Sequence, residues 1–156
     1  MRALNAIVIG SLSVVTLLSG CASSTVARPP DAPESLRPPA DQALALGVQA
    51  TGVQIYECAA SKDQQERFEW VFKAPEAELF DRTGRSVGKH YAGPTWESAD
   101  GSAVVGQVKA RDGGPDPSAI PWLLLSAKSN SGTGVFSQIK SIQRLQTVGG
   151  KEPSTP

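Results

Sequence analysis

From Gln42 onward apolar residues recur every second position: Leu44, Leu46 and Val48 alternate with small or polar neighbours, and Val53 and Ile55 continue after Thr51-Gly52. That period of two predicts strands with one buried face. Phe68, Trp70 and Phe72 alternate with Glu69, Val71 and Lys73 in the same way. Two hairpins are then expected. In the first, Glu78-Leu79-Phe80 turns through Asp81-Arg82-Thr83-Gly84 into Ser86–Tyr91; in the second, Thr95–Ser98 turns at Asp100-Gly101 into Ala103–Val108. Arg111–Pro117 holds too many Gly and Pro residues for regular structure and is expected to be an exposed loop. Ile120-Pro121-Trp122-Leu123-Leu124-Leu125 is a continuous apolar run, suited to a central strand covered on both faces. Phe136, Ile139, Ile142 and Leu145 recur every third residue, which fits two strand pieces joined by a bulge near Lys140-Ser141, or else a helix. The pattern as a whole predicts an all-β domain, an antiparallel sandwich or small barrel of about seven to eight strands, and leaves the choice between them open.

The amino end follows a different pattern. An apolar stretch from Ala6 to Leu18, broken by Gly10, Ser11, Ser13 and Thr16, follows a basic start at Arg2. As a helix it would cover about 20 Å of a hydrocarbon core of roughly 30 Å, so it reads as an export signal and not a span. Leu18-Ser19-Gly20-Cys21 resembles the bacterial lipobox. That resemblance implies cleavage after Gly20, a diacylglyceryl group on the Cys21 sulfur and acylation of the new amine; the alternative is an ordinary cleaved signal. Two or more acyl chains, such as palmitate, make membrane attachment effectively permanent. Ala22 in place of Asp implies, by enterobacterial sorting rules, the periplasmic face of the outer membrane. The expected organisation is a lipoprotein signal peptide over 1–20, the lipidated cysteine and a Pro-rich, polyproline-like tether over 21–41, a β domain over 42–150 and a disordered C-terminus over 151–156.

Charge narrows the partners. With 15 basic and 15 acidic side chains the chain is formally neutral, and it has no basic run, so nucleic acid is not an expected partner. The expected partners are the bilayer, through acylated Cys21, and an envelope protein or glycan.

Candidate chemistry concentrates between His90 and Asp100. His90 is the sole histidine, and with Glu97 or Asp100 as an orienting carboxylate it would serve a small hydrolase or lyase. The structural alternative is that Gly93-Pro94 simply turns the chain between two strands. No nucleophile elbow, Walker loop or calcium loop is expected, a lone His does not assemble a transition-metal site, and neither a metal nor a cofactor is expected. Tyr91 and Trp96, flanking Gly93-Pro94, are candidates for an exposed platform that binds a glycan or peptide, whereas Trp70 and Trp122 are expected to pack inside. The leading expectation is therefore a non-catalytic binding or structural module.

Several segments together carry a family resemblance: Gly52–Cys58, Pro75–Leu79, Gly88–Glu97, Asp100-Gly101-Ser102, Ile120–Leu124 and Ile142-Gln143-Arg144, then Thr147 and Gly149-Gly150. In this order they resemble the family catalogued as domain of unknown function 3455. The resemblance implies a secreted or envelope-attached protein and no particular activity. Some fungal members are called malate dehydrogenase, but no G-x-G-x-x-G follows a strand here. Members continue past the Gly-Gly segment to a second cysteine and an aromatic-rich strand, so the resemblance implies a partner for Cys58 that the residues up to Pro156 do not supply. Cys58 is then a buried inert thiol, a thiol paired with another chain, or a reactive one.

Overall fold

A computed structural model describes residues 28–64 and 66–156. The signal peptide and Cys21 therefore lie outside the described residues. Seven strands follow one another: β1 (Gln49–Ala60), β2 (Phe68–Phe80), β3 (Ser86–Tyr91), β4 (Thr95–Ser98), β5 (Ala103–Asp112), β6 (Trp122–Ser131) and β7 (Ser141–Arg144). Each pairs antiparallel with the next, giving a single sheet in the order β1-β2-β3-β4-β5-β6-β7. The all-β antiparallel class is as expected. Of the two architectures left open, neither is realised in full, because one meander supplies every strand and its outer strands β1 and β7 do not pair.

The sheet is curled. Bulges interrupt it at Ile55/Tyr56, Leu79/Phe80, Val105/Gly106 and Val108/Ala110, and each inserts a residue that bends its strand and increases the local twist. After β7 the chain crosses the gap between the outer strands. Ala119 bridges Gly150, Ile120 N donates to Gly149 O at 2.8 Å, Tyr56 Oη donates to Gly150 O at 2.9 Å, and Trp70 Nε1 donates to Thr155 O at 3.0 Å. Gly149 and Gly150 make this path possible with φ of 60° and 81°, a region other residues enter at a cost. Of residues 151–156, expected to be disordered, Thr155 accepts from Trp70 on β2 and Lys151 donates to the Pro117 carbonyl.

Leu79, Val104 and Phe136 form the buried core at one end of the curl, with Trp96, Ala127, Ile139 and Ile142 packed against it. Phe136 arrives on a short 3-10 helix, η2 (Val135–Gln138), which explains the period of three: Phe136 and Ile139 stack one 3-10 turn apart, and β7 takes over at Ser141. The junction falls where a bulge was expected. Three boundaries also differ from expectation. Arg111 and Asp112, expected in a loop, close β5 by pairing with Leu123 and Trp122. Residues 42–48 are not a strand, since no strand lies beside them to complete a ladder, although Val48 still reaches the core. Nor is the Pro-rich stretch wholly a spacer: a second 3-10 helix, η1 (Glu34–Leu36), packs against β5 and β6, Leu36 is completely buried, and Gln143 Nε2 donates to Leu36 O at 2.7 Å.

Candidate functional site

His90 on β3 stands opposite Trp96 on β4, and Lys89 opposite Glu97. Because side chains alternate along a strand, His90 and Trp96 share the inner face of the curl, while Tyr91 and Glu97 share the outer face. Burial agrees: His90 is buried and Tyr91 exposed. The imidazole stacks on the indole with ring centroids 4.2 Å apart and planes 14° from parallel. His90 Nδ1 lies 2.9 Å from the Thr95 carbonyl oxygen, which can only accept, so Nδ1 carries the proton. Burial holds the His90 pKa below its ordinary value; the Thr95 carbonyl opposes this, and the Arg144 charge adds to the lowering. Every fully buried side-chain nitrogen or oxygen among the described residues has a partner. His90 Nε2 makes no hydrogen bond to protein, so this acceptor opens onto the interior of the curl.

The two carboxylates proposed to serve His90 are occupied elsewhere. Glu97 accepts a 2.6 Å hydrogen bond from Tyr91 Oη, which in turn raises the tyrosine pKa. Asp100 Oδ1 accepts from Ser102 Oγ at 2.6 Å and Ser102 N at 2.9 Å, and its Oδ2 accepts from Val135 N at 2.8 Å. These donors, Ser102 Oγ foremost, lower the Asp100 pKa to about 2. Asp100 therefore ties the β4–β5 turn to the start of η2, and Gly134 is required beside it, because a Cβ there would meet the carboxylate at 2.1 Å. Neither carboxylate hydrogen-bonds His90. Tyr91 and Trp96 likewise point to opposite faces and do not make a common platform.

His90 and Trp96 instead join a cavity of about 550 Å³ to which all seven strands contribute. Its aromatic wall comes from β1 and β2, where Tyr56 and Phe72 meet edge to face at 5.6 Å and 64°, with Trp70 beside them. Trp70 thus lines the cavity and is not enclosed in the core. Val108, Leu123 and Leu125 supply the aliphatic wall. Trp96 also contacts the core cluster, so its indole is the floor between packed interior and cavity. Gly106 makes room for that indole: a Cβ there would sit 2.9 Å from Trp96 Cζ3. Trp122 does not line the cavity; its half-buried indole lies against Gly114 and is not part of the core cluster.

Two arginines face the same space. Arg111 on β5 is level with Leu123 on β6, which is level with Arg144 on β7, forming one row across three strands. Arg144 donates from Nε and Nη2 to the Pro121 carbonyl at 3.2 and 2.8 Å, and its pKa is lowered by burial first and by Arg111 second. The ion pairs among the described residues are Lys73–Glu57 and Arg85–Asp81, so neither Arg111 nor Arg144 has a carboxylate partner. Glu152 on the C-terminal crossing lines the far wall, near Tyr56, whose pKa is raised by burial and then by that carboxylate. Sequence reasoning missed this pair. One signal was available: Ile142 and Arg144 are two apart on a short strand, so the face that buries the isoleucine carries the arginine inward.

Other features fit no reaction. Gly84-Arg85-Ser86-Val87-Gly88 has G-x-S-x-G spacing, but it turns from β2 into β3 with Ser86 exposed and no helix following, unlike a nucleophile elbow. Among the described residues no three His, Cys, Asp or Glu side chains are grouped to hold a metal. Cys58 is exposed on β1 and not buried.

Fold and site together define an open β-meander curled around an apolar, arginine-lined cavity. The chain belongs to the family described as Protein of unknown function (DUF3455), whose model matches residues 39–156. No curated protein and no solved structure matches the chain.

Proposed function

We propose that this is a lipid-anchored protein of the bacterial envelope whose β domain binds a small molecule inside the curl without transforming it. The observation that carries the binding reading is the cavity of about 550 Å³ walled by all seven strands, within the roughly 300–1,000 Å³ range of small-molecule sites. The anchoring half rests on Leu18-Ser19-Gly20-Cys21 alone, and its location at the periplasmic face of the outer membrane on Ala22. A binding role is favoured over a hydrolase or lyase because neither Glu97 nor Asp100 hydrogen-bonds the ring. The Thr95 carbonyl fixes the tautomer of His90, but no carboxylate stands behind the ring to stabilise an imidazolium, and burial disfavours that charge.

The test is to purify the mature protein from its native host, denature it and identify released small molecules by mass spectrometry. A stoichiometric compound that is lost from Phe72→Ala protein with an unchanged circular dichroism spectrum is the expected result. Turnover of a compound by wild-type protein, abolished in a folded His90→Gln variant, would overturn the non-catalytic reading.

A further inference from the structure

The cavity is apolar over most of its wall but carries a charge arrangement that the fold does not use. Arg111 and Arg144 flank Leu123 on adjacent registers, two strand spacings or about 10 Å apart at the backbone. Their guanidiniums lie close enough that one disfavours the charge on the other. Like charges brought together at a half-buried site destabilise the protein unless an anion answers them. No carboxylate of the described chain does so: Glu57 pairs with Lys73 at 2.6 Å, Asp81 with Arg85 at 2.8 Å, and Glu152 forms no ion pair. Arg144 also has hydrogen-bonding capacity left over, since a guanidinium carries five N–H donors and only Nε and Nη2 contact Pro121. That same contact fixes the plane of the group. Arg111 makes no side-chain hydrogen bond to the described residues and is free to swing toward a ligand. The same cavity is lined by the rings of Phe72 and Trp96 and by Tyr56, which lies near enough to Arg144 to feel its charge, and by His90, whose Nε2 is an unused acceptor.

Resting on the cavity-binding reading, we infer that the ligand is an organic acid: an oxyanion head, carboxylate or sulfonate, held between Arg111 and Arg144, on a flat apolar body lying against the aromatic wall. A planar oxyanion suits the guanidinium fork, and flat rings suit edge and face contacts with the aromatics.

A matched pair of fluorescent probes tests this: 1-anilinonaphthalene-8-sulfonate and its uncharged parent N-phenyl-1-naphthylamine, each titrated into the folded domain. The expected result is one saturable site that prefers the sulfonate by about tenfold or more, the scale of one hydrogen bond to a charged group. Arg111→Gln and Arg144→Gln should each collapse that preference, and Glu97→Gln, on the outer face, should leave it intact. Arg111 is exposed and has no hydrogen bond to lose, so its variant decides the matter should Arg144→Gln fail to fold. Equal affinity for the two probes, or a preference that survives Arg111→Gln, would overturn the organic-acid assignment while the cavity stands. If neither probe gives a saturable site, both readings fall.

Discussion

His90 is held neutral by its surroundings, and this has a consequence for pH. Its native pKa lies below the ordinary 6.5, so as pH falls the unfolded chain takes up the proton first. The contribution of His90 to stability is therefore complete above about pH 6.5 and is lost as pH falls from there through the native midpoint. The ring signals of this sole histidine should titrate with a midpoint below 6.5, and His90→Gln should flatten the fall of the urea midpoint over the same window. Asp100 acts in a different way. With two hydrogen bonds inside the β4–β5 turn and a third joining it to η2, Asp100→Ala should lower the urea midpoint well beyond Glu97→Ala, which loses a single exposed hydrogen bond. The sequence made the histidine visible and hid its neighbours for a physical reason. Alternation counted through β5 from Gly106 and Val108 would turn Ala110 inward, but the bulge at Val108/Ala110 shifts the phase and brings Arg111 to the inner face beside Leu123. A one-residue insertion of that kind leaves no mark in composition.

At the scale of elements, turn chemistry was the most legible feature. The β2–β3 and β4–β5 hairpins fall where Asp81–Gly84 and Asp100-Gly101 placed them, with Gly84 and Gly101 at φ of 80° and 83°. In the first, Asp81 binds the Thr83 hydroxyl and the Arg85 guanidinium, which hold its pKa well below the carboxylate range. Local side-chain hydrogen bonds of this sort depend on near neighbours only and so can be read from sequence. Docking of short segments cannot. Leu36 sits among prolines with nothing nearby to suggest burial, yet it has no exposed surface. Leu36→Ala should therefore cost about 2–5 kcal/mol, the usual range for truncating a buried leucine, in equilibrium urea unfolding. Gly106→Val makes the opposite test on β5: forcing a side chain against Trp96 and Leu125 should cost roughly 1–3 kcal/mol of stability and change the tryptophan emission.

For the molecule as a whole, period-two patterning established that strands bury one face but not what they bury it against. Sandwich, barrel and open curl share that pattern, and the difference lies in four bulges and in a C-terminal crossing that spans the outer strands through Tyr56 and Trp70. The cavity was illegible for a related reason, since its walls come from residues almost 100 positions apart, from Gln54 to Glu152, that only the meander brings together. Attachment belongs to the same scale and is tested separately: Cys21→Ser should move the protein from the membrane pellet to the soluble fraction of its native host. The claim that the curled sheet encloses a ligand site is tested most directly by the three indole N–H signals in a proton–nitrogen NMR spectrum. Saturating N-phenyl-1-naphthylamine should shift Trp70 and Trp96, which line the cavity, together with the His90 ring, and leave Trp122 in place. Unmoved Trp70 and Trp96 signals, or a shift at Trp122 alone, would contradict it.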